Sequence, residues 1–140
     1  MPVYQSEKDV KREVKKLLTK HKWFYWMPAA NAHGRSGCPD FLAMRGGVFL
    51  AVETKYKKNK PNGPQRAFGQ SLLAEGAFSF VVNEDLIPVL ARWMERFDES
   101  IACVQDRRVM PEELGPEMLE DIRLLTEMLV SAKEAPDAQG

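Results

Sequence analysis

The chain has 140 residues, 44% hydrophobic and 29% charged, the size and make-up of one globular domain that can bury its own core. Its 20 basic and 20 acidic residues cancel, and two cysteines do not make a disulfide framework. The sequence shows no apolar run of about eighteen residues and opens on charged and polar residues, so neither a membrane span nor a secretory leader is expected, and the expected setting is a reducing cytoplasm.

In chain order, Ser6 and Asp9 stand at the N-cap and third positions of a first helix, and Val10, Val14, Leu17 and Leu18 recur at helical spacing until the pattern fades near His21. Trp23 to Trp26 is a short β-prone run, read as alternating core residues in preference to a base-stacking platform. The stretch 31–39, rich in glycine and small polar residues, is a loop. Two strands, 41–44 and 48–54, flank Arg45-Gly46-Gly47, a hairpin signal. A basic loop over 55–64 leads to Pro64, which suits the first turn of a helix over 65–75, and Gly76 fits the position just past its end. Residues 78–82 form a strand buried on both faces, and 85–97 a helix with Leu86, Val89, Leu90 and Trp93 on one side. A connector over 99–110 then precedes one or two acidic helices within 111–134, with an apolar stripe from Leu114 to Leu129. The expected fold is α/β, a mixed sheet flanked by helices with an extra C-terminal helical segment. The strand 48–54, helix, strand 78–82 unit is a right-handed parallel crossover. The expected division is a 1–98 domain and a 99–140 acidic extension that packs on it or on a partner subunit.

The neutral total hides a split. Residues 1–70 carry 14 basic and 5 acidic side chains, residues 71–140 carry 6 and 15. The first half suits a polyanion, though a charge run is also an ordinary solvated face. Within that half, Asp40 stands at the mouth of the hairpin, and Glu53 and Lys55 at the end of its second strand on one face. Two neighbouring carboxylates repel, and a divalent cation resolves the conflict. Magnesium favours oxygen ligands and touches substrate phosphate, while a lysine beside it orients the attacking water or stabilises charge on phosphate. Acid, acid and lysine on one strand edge are a phosphodiesterase kit. Lys57, Lys58, Lys60 and Arg66 follow directly and suit backbone phosphates, and Arg35 and His33 precede Asp40 in the loop. His33 with Cys38 lacks the count and spacing of a zinc site, and Cys38 and Cys103 are read as free thiols.

Gly37-Cys38-Pro39-Asp40-Phe41 followed by Glu53-Thr54-Lys55, with Glu7 opening the first helix and Pro64-Gln65 the next, resembles the PD-(D/E)xK nuclease superfamily. More narrowly it is similar to the virus-type replication-repair nuclease (VRR-NUC) domain, over roughly residues 6–97. The resemblance implies a restriction-endonuclease-like fold and a Mg²⁺- or Mn²⁺-dependent endonuclease that cuts branched or Holliday-junction DNA, often as a homodimer. A viral or phage setting, with the protein in the host cytoplasm, also rests on it. It implies that Asp40, Glu53, the Thr54 carbonyl and Glu7 bind the metal, that Lys55 serves the nucleophilic water, and that Gln65 reaches the site. Glu13 rivals Glu7 as the helical acid, because both lie on one helix, and Glu7 also has the plainer reading of a residue that favours the helix dipole.

Overall fold

The computed structural model describes residues 3–29, 36–106 and 115–130, with side chains of 102–106 left aside. Its elements are α1 Glu7–Lys20, β1 Phe24–Trp26, β2 Phe41–Arg45, β3 Val48–Thr54, α2 Gly63–Ala74, β4 Phe78–Val82, α3 Ile87–Asp106 and α4 Gly115–Val130, with a 3₁₀ turn Glu84–Leu86 before α3. The four strands form one sheet in the order β1-β2-β3-β4. The β1–β2 and β2–β3 pairs are antiparallel, and β3–β4 is parallel through α2. The expected mixed sheet flanked by helices is therefore the observed fold.

Helix α1 starts where the capping signal places it: the Asp9 carboxylate accepts the Ser6 and Gln5 backbone N–H groups. Val10, Val14 and Leu18 of α1 are fully buried. They meet Phe41, Ala43, Leu50, Val52, Phe80 and Val82 from the sheet and Leu90, Trp93, Met94 and Phe97 from α3 in one core. Trp93 is its centre, edge-on to Phe80 at 4.9 Å and to Phe78 at 5.1 Å. The far end of α1 is tied to α3 by polar groups. His21 Nδ1 lies 2.7 Å from Asp98 Oδ2, and Arg45 donates to both Asp98 and the His21 carbonyl.

Two expectations need correcting. Helix α3 does not end near Phe97 but runs to Asp106, so most of the supposed connector is helical. Ile101 packs on the core, and its Cδ1 lies against the hairpin glycine Gly46, which gives the extra turns an apolar anchor. The run Trp23 to Trp26 is only half core. Trp23 is buried and Tyr25 packs on the core, while Phe24 and Trp26 are 72% and 40% exposed. As β1 is an edge strand, alternation sends Phe24 and Trp26 to the other face of the sheet, where they touch each other with ring centroids 5.9 Å apart.

Helix α4 lies against β4 and α3. Leu125 is fully buried in the main core, and Leu129 packs where Gly69 of α2 leaves room. Leu125→Ala should cost about 2–5 kcal/mol of global stability in a single urea transition. A separate early transition would instead mark 115–130 as an appendage.

Candidate active site

The hairpin register decides which polar groups meet. Phe41 stands opposite Val52, so Asp40, one step before β2, falls beside Glu53 and Thr54 at the end of β3. Parallel pairing with β4 continues one residue further, with the Lys55 N–H donating to the Val82 carbonyl at 2.9 Å. The end of β3 is thus held from both sides, and three consecutive residues with reactive side chains sit on rigid backbone.

Asp40 Oδ2 accepts two hydrogen bonds from Thr54, from its backbone N–H at 2.9 Å and from its hydroxyl at 2.6 Å. Thr54 is fully buried and orients the carboxylate. Across the strand, Glu53 is only 7% exposed and its Oε2 lies 3.3 Å from Lys55 Nζ. That contact confirms that residues 53 and 55 share a face. Glu53 Oε1 is buried without a hydrogen-bond partner. Burial foremost, then the Asp40 charge, pushes the Glu53 carboxyl up to about 7; Lys55 opposes the shift and Glu7 adds to it.

Helix α1 brings two more groups. Glu7 Oε2 lies 3.5 Å from the Thr54 hydroxyl, and Lys11 Nζ lies 3.8 Å from Glu7 Oε2 and 3.6 Å from Asp40 Oδ1. Of the two helical acids, Glu7 is therefore the one beside the hairpin residues, whereas Glu13 pairs with Lys16 at 3.2 Å. Lys11 was not among the sequence candidates. Its signal, the four-residue step from Glu7, is that of any surface helix pair.

Helix α2 supplies the opposite wall. Asn62 is its N-cap, accepting the Gln65 N–H at 2.9 Å, while Gln65 Oε1 accepts the Asn62 N–H at 3.0 Å. Gln65 lines the same cleft as Asp40, Cys38 and Pro64, with its side-chain carbonyl engaged in that cap. Gly37 seats the loop on this helix. Its φ is +84°, and a Cβ there would lie 2.3 Å from the Pro64 carbonyl oxygen. Cys38 is a free thiol that burial, then Glu53 and Asp40, push above its usual range, so it stays protonated.

The basic candidates do not all gather here. Lys57, Lys58 and Lys60 are exposed, but they line a neighbouring groove with Asp85, Glu127 and Met128. The Lys57 N–H donates to Glu84 at 3.0 Å, and its ammonium lies over the Tyr56 ring at 5.3 Å. Arg66 is half-buried on α2. Arg35 and His33 lie outside the described residues, as does the Cys103 side chain.

Among the described residues no three His, Cys, Asp or Glu side chains form a ready-made metal cage. The donor set still fits a hard divalent ion. Two carboxylates converge, and one buried carboxylate oxygen has no other partner. Magnesium is held by one or two carboxylates with water and phosphate filling the remaining positions.

The fold and site together define a mixed α/β sheet with an acid, acid and lysine cluster at one strand end. No protein-family model and no curated protein matches the chain. Among solved structures it is similar to Hjc, a Holliday junction resolvase from the archaeal hyperthermophile Archaeoglobus fulgidus. The identity is 22%, over 52% of this chain and 64% of that one, and the TM-score is 0.43. The match thus spans less than two thirds of that protein. Among the described residues no helix is long and apolar enough to cross a membrane.

Proposed function

We propose that this chain is a metal-dependent, structure-selective DNA endonuclease of the PD-(D/E)xK type, close in kind to VRR-NUC domains. Its substrates would be branched DNA such as four-way junctions, and it would work as a homodimer on two strands. The observation that carries the reading is the buried pair of Glu53 and Lys55 beside Asp40, with one Glu53 oxygen left for a cation. A plain DNA binder gains nothing from acids facing phosphate.

Asp40 and Glu53 would hold Mg²⁺ or Mn²⁺, with the Thr54 carbonyl and Glu7 completing the set. The ion, when bound, polarises the phosphoryl group and acidifies water. Thr54 keeps the Asp40 carboxylate turned toward the site through two hydrogen bonds. Lys55, which Glu53 contacts at 3.3 Å, would orient the attacking water and stabilise charge that develops on phosphate. Gln65 and Arg66 at the start of α2, with the lysines after β3, would bind backbone phosphates and fix register without reading bases.

The test is a labelled panel of single strand, duplex, flap and four-way junction with Mg²⁺, Mn²⁺ or EDTA. Cutting should need the ion and favour the junction. Lys55→Ala should lose about 10²–10³-fold in kcat while binding DNA normally. Ion-independent binding with no cutting of any form would replace the enzyme with a DNA-binding scaffold.

A further inference from the structure

The Lys11 ammonium lies 3.6 Å from Asp40 Oδ1 and 3.8 Å from Glu7 Oε2. The Glu7 contact alone is an ordinary helix pair. The Asp40 contact is not, because it joins α1 to the hairpin across a large gap in sequence. It also falls on the oxygen that Thr54 does not use: Oδ2 takes both Thr54 hydrogen bonds, and Oδ1 faces the lysine. The cluster therefore contains one cation for each side of β3. Lys55 attends Glu53, and Lys11 attends Asp40 and Glu7.

Lys55 and Lys11 differ in exposure. The Lys55 side chain is 13% exposed and Lys11 is 36% exposed. Lys55 is confined, whereas Lys11 has a flexible four-carbon stem on a helix surface and open solvent to move into. A divalent ion on Asp40 Oδ1 would stand against this ammonium, and the two cations have the same carboxylates to share.

We infer that Lys11 is an internal competitor for the divalent ion. It is a placeholder that clamps Glu7 to Asp40 and must swing away before those carboxylates bind metal. Its ammonium offsets the repulsion between acids carried on separate elements, so they stay converged between turnovers. It also raises the ion concentration at which the site fills, which makes cleavage respond to ion level in a higher range. The inference rests on the metal-dependent reading above and adds what sets that dependence.

The experiment is Mn²⁺ titration by calorimetry, without DNA, on the wild type, Lys11→Met and Lys11→Arg. Methionine keeps the stem without charge, and arginine keeps the charge. A charge this close to a carboxylate shifts its equilibria by about tenfold or more. Lys11→Met should therefore bind Mn²⁺ roughly tenfold more tightly, with Lys11→Arg near the wild type. The half-saturating Mn²⁺ for cleavage should fall in step. Equal or weaker Mn²⁺ binding by Lys11→Met, with ion-dependent cleavage intact in the wild type, overturns this inference alone. Mn²⁺ binding by none of the three proteins overturns the metal-dependent reading as well.

Discussion

Glu53→Gln is expected to abolish cleavage and, at pH 8, to make the ion-free protein more stable. Both effects come from one buried carboxyl. As a ligand candidate its loss removes a charge that no amide replaces, for a rate penalty of about 10²–10³-fold or more. As a folded-state group it is pushed from 4.5 up to about 7, chiefly by burial. The folded chain therefore holds this proton at pH values where the unfolded chain has released it. The stability linked to that proton is fully present below about 4.5 and is lost as pH rises through about 7. Glutamine cannot ionise, so the variant escapes the loss, by about 3 kcal/mol at pH 8. Urea melts at pH 5 and pH 8 in EDTA would show the variant's advantage only at the higher pH. An equal difference at both values would mean that Glu53 titrates normally. The same shift predicts that the ion concentration needed for half-maximal cleavage rises as pH falls below about 7, as the proton competes with the ion for Glu53.

Asp40→Ala should be equally inactive with the opposite effect on stability. Its carboxylate is the acceptor for the Thr54 N–H and hydroxyl, both buried. Alanine strands the Thr54 N–H and leaves the hydroxyl only its longer 3.5 Å contact to Glu7, at about 1–3 kcal/mol for a buried donor left unpaired. Asp40→Asn keeps an acceptor oxygen and should recover most of that stability but none of the cleavage. A thermal melt and a junction assay on each variant separate the two roles. Cleavage by purified Asp40→Asn near the wild-type rate would remove Asp40 from the metal site.

Much of this was legible in the sequence because it depends on local rules. The Ser6 and Asp9 cap, the Gly46-Gly47 hairpin, Pro64 in the first turn of α2 and Gly76 at φ +92° after it are short-range signals. Alternation in β3 placed Glu53 and Lys55 on one face, and the structure pairs them. What was not legible depends on how elements sit in space. Lys11 meets Asp40 only because of the rotation of α1 against the hairpin. Lys57, Lys58 and Lys60 read as neighbours of Lys55, yet the turn at Lys57, with φ +57°, leads them to a groove beside α4. Phe24 and Trp26 read as core because a propensity for strand says nothing of which strand lies at the edge. The end of α3 was missed because Glu99 to Asp106 has weak apolar periodicity and takes its anchor from Ile101 on the hairpin turn.

Gly37 gives the Gly-x-Pro-Asp stretch a division of labour. The aspartate is the candidate ligand, and the glycine is joinery: without a side chain, the loop presses onto the first turn of α2 so closely that any methyl group would meet the Pro64 carbonyl. The spacing between the hairpin half of the cleft and the α2 half is thus set by an atom that is missing. A larger residue would widen the seam by about the thickness of a methyl group, so the motif works as a spacer gauge for the cleft as well as a source of acid.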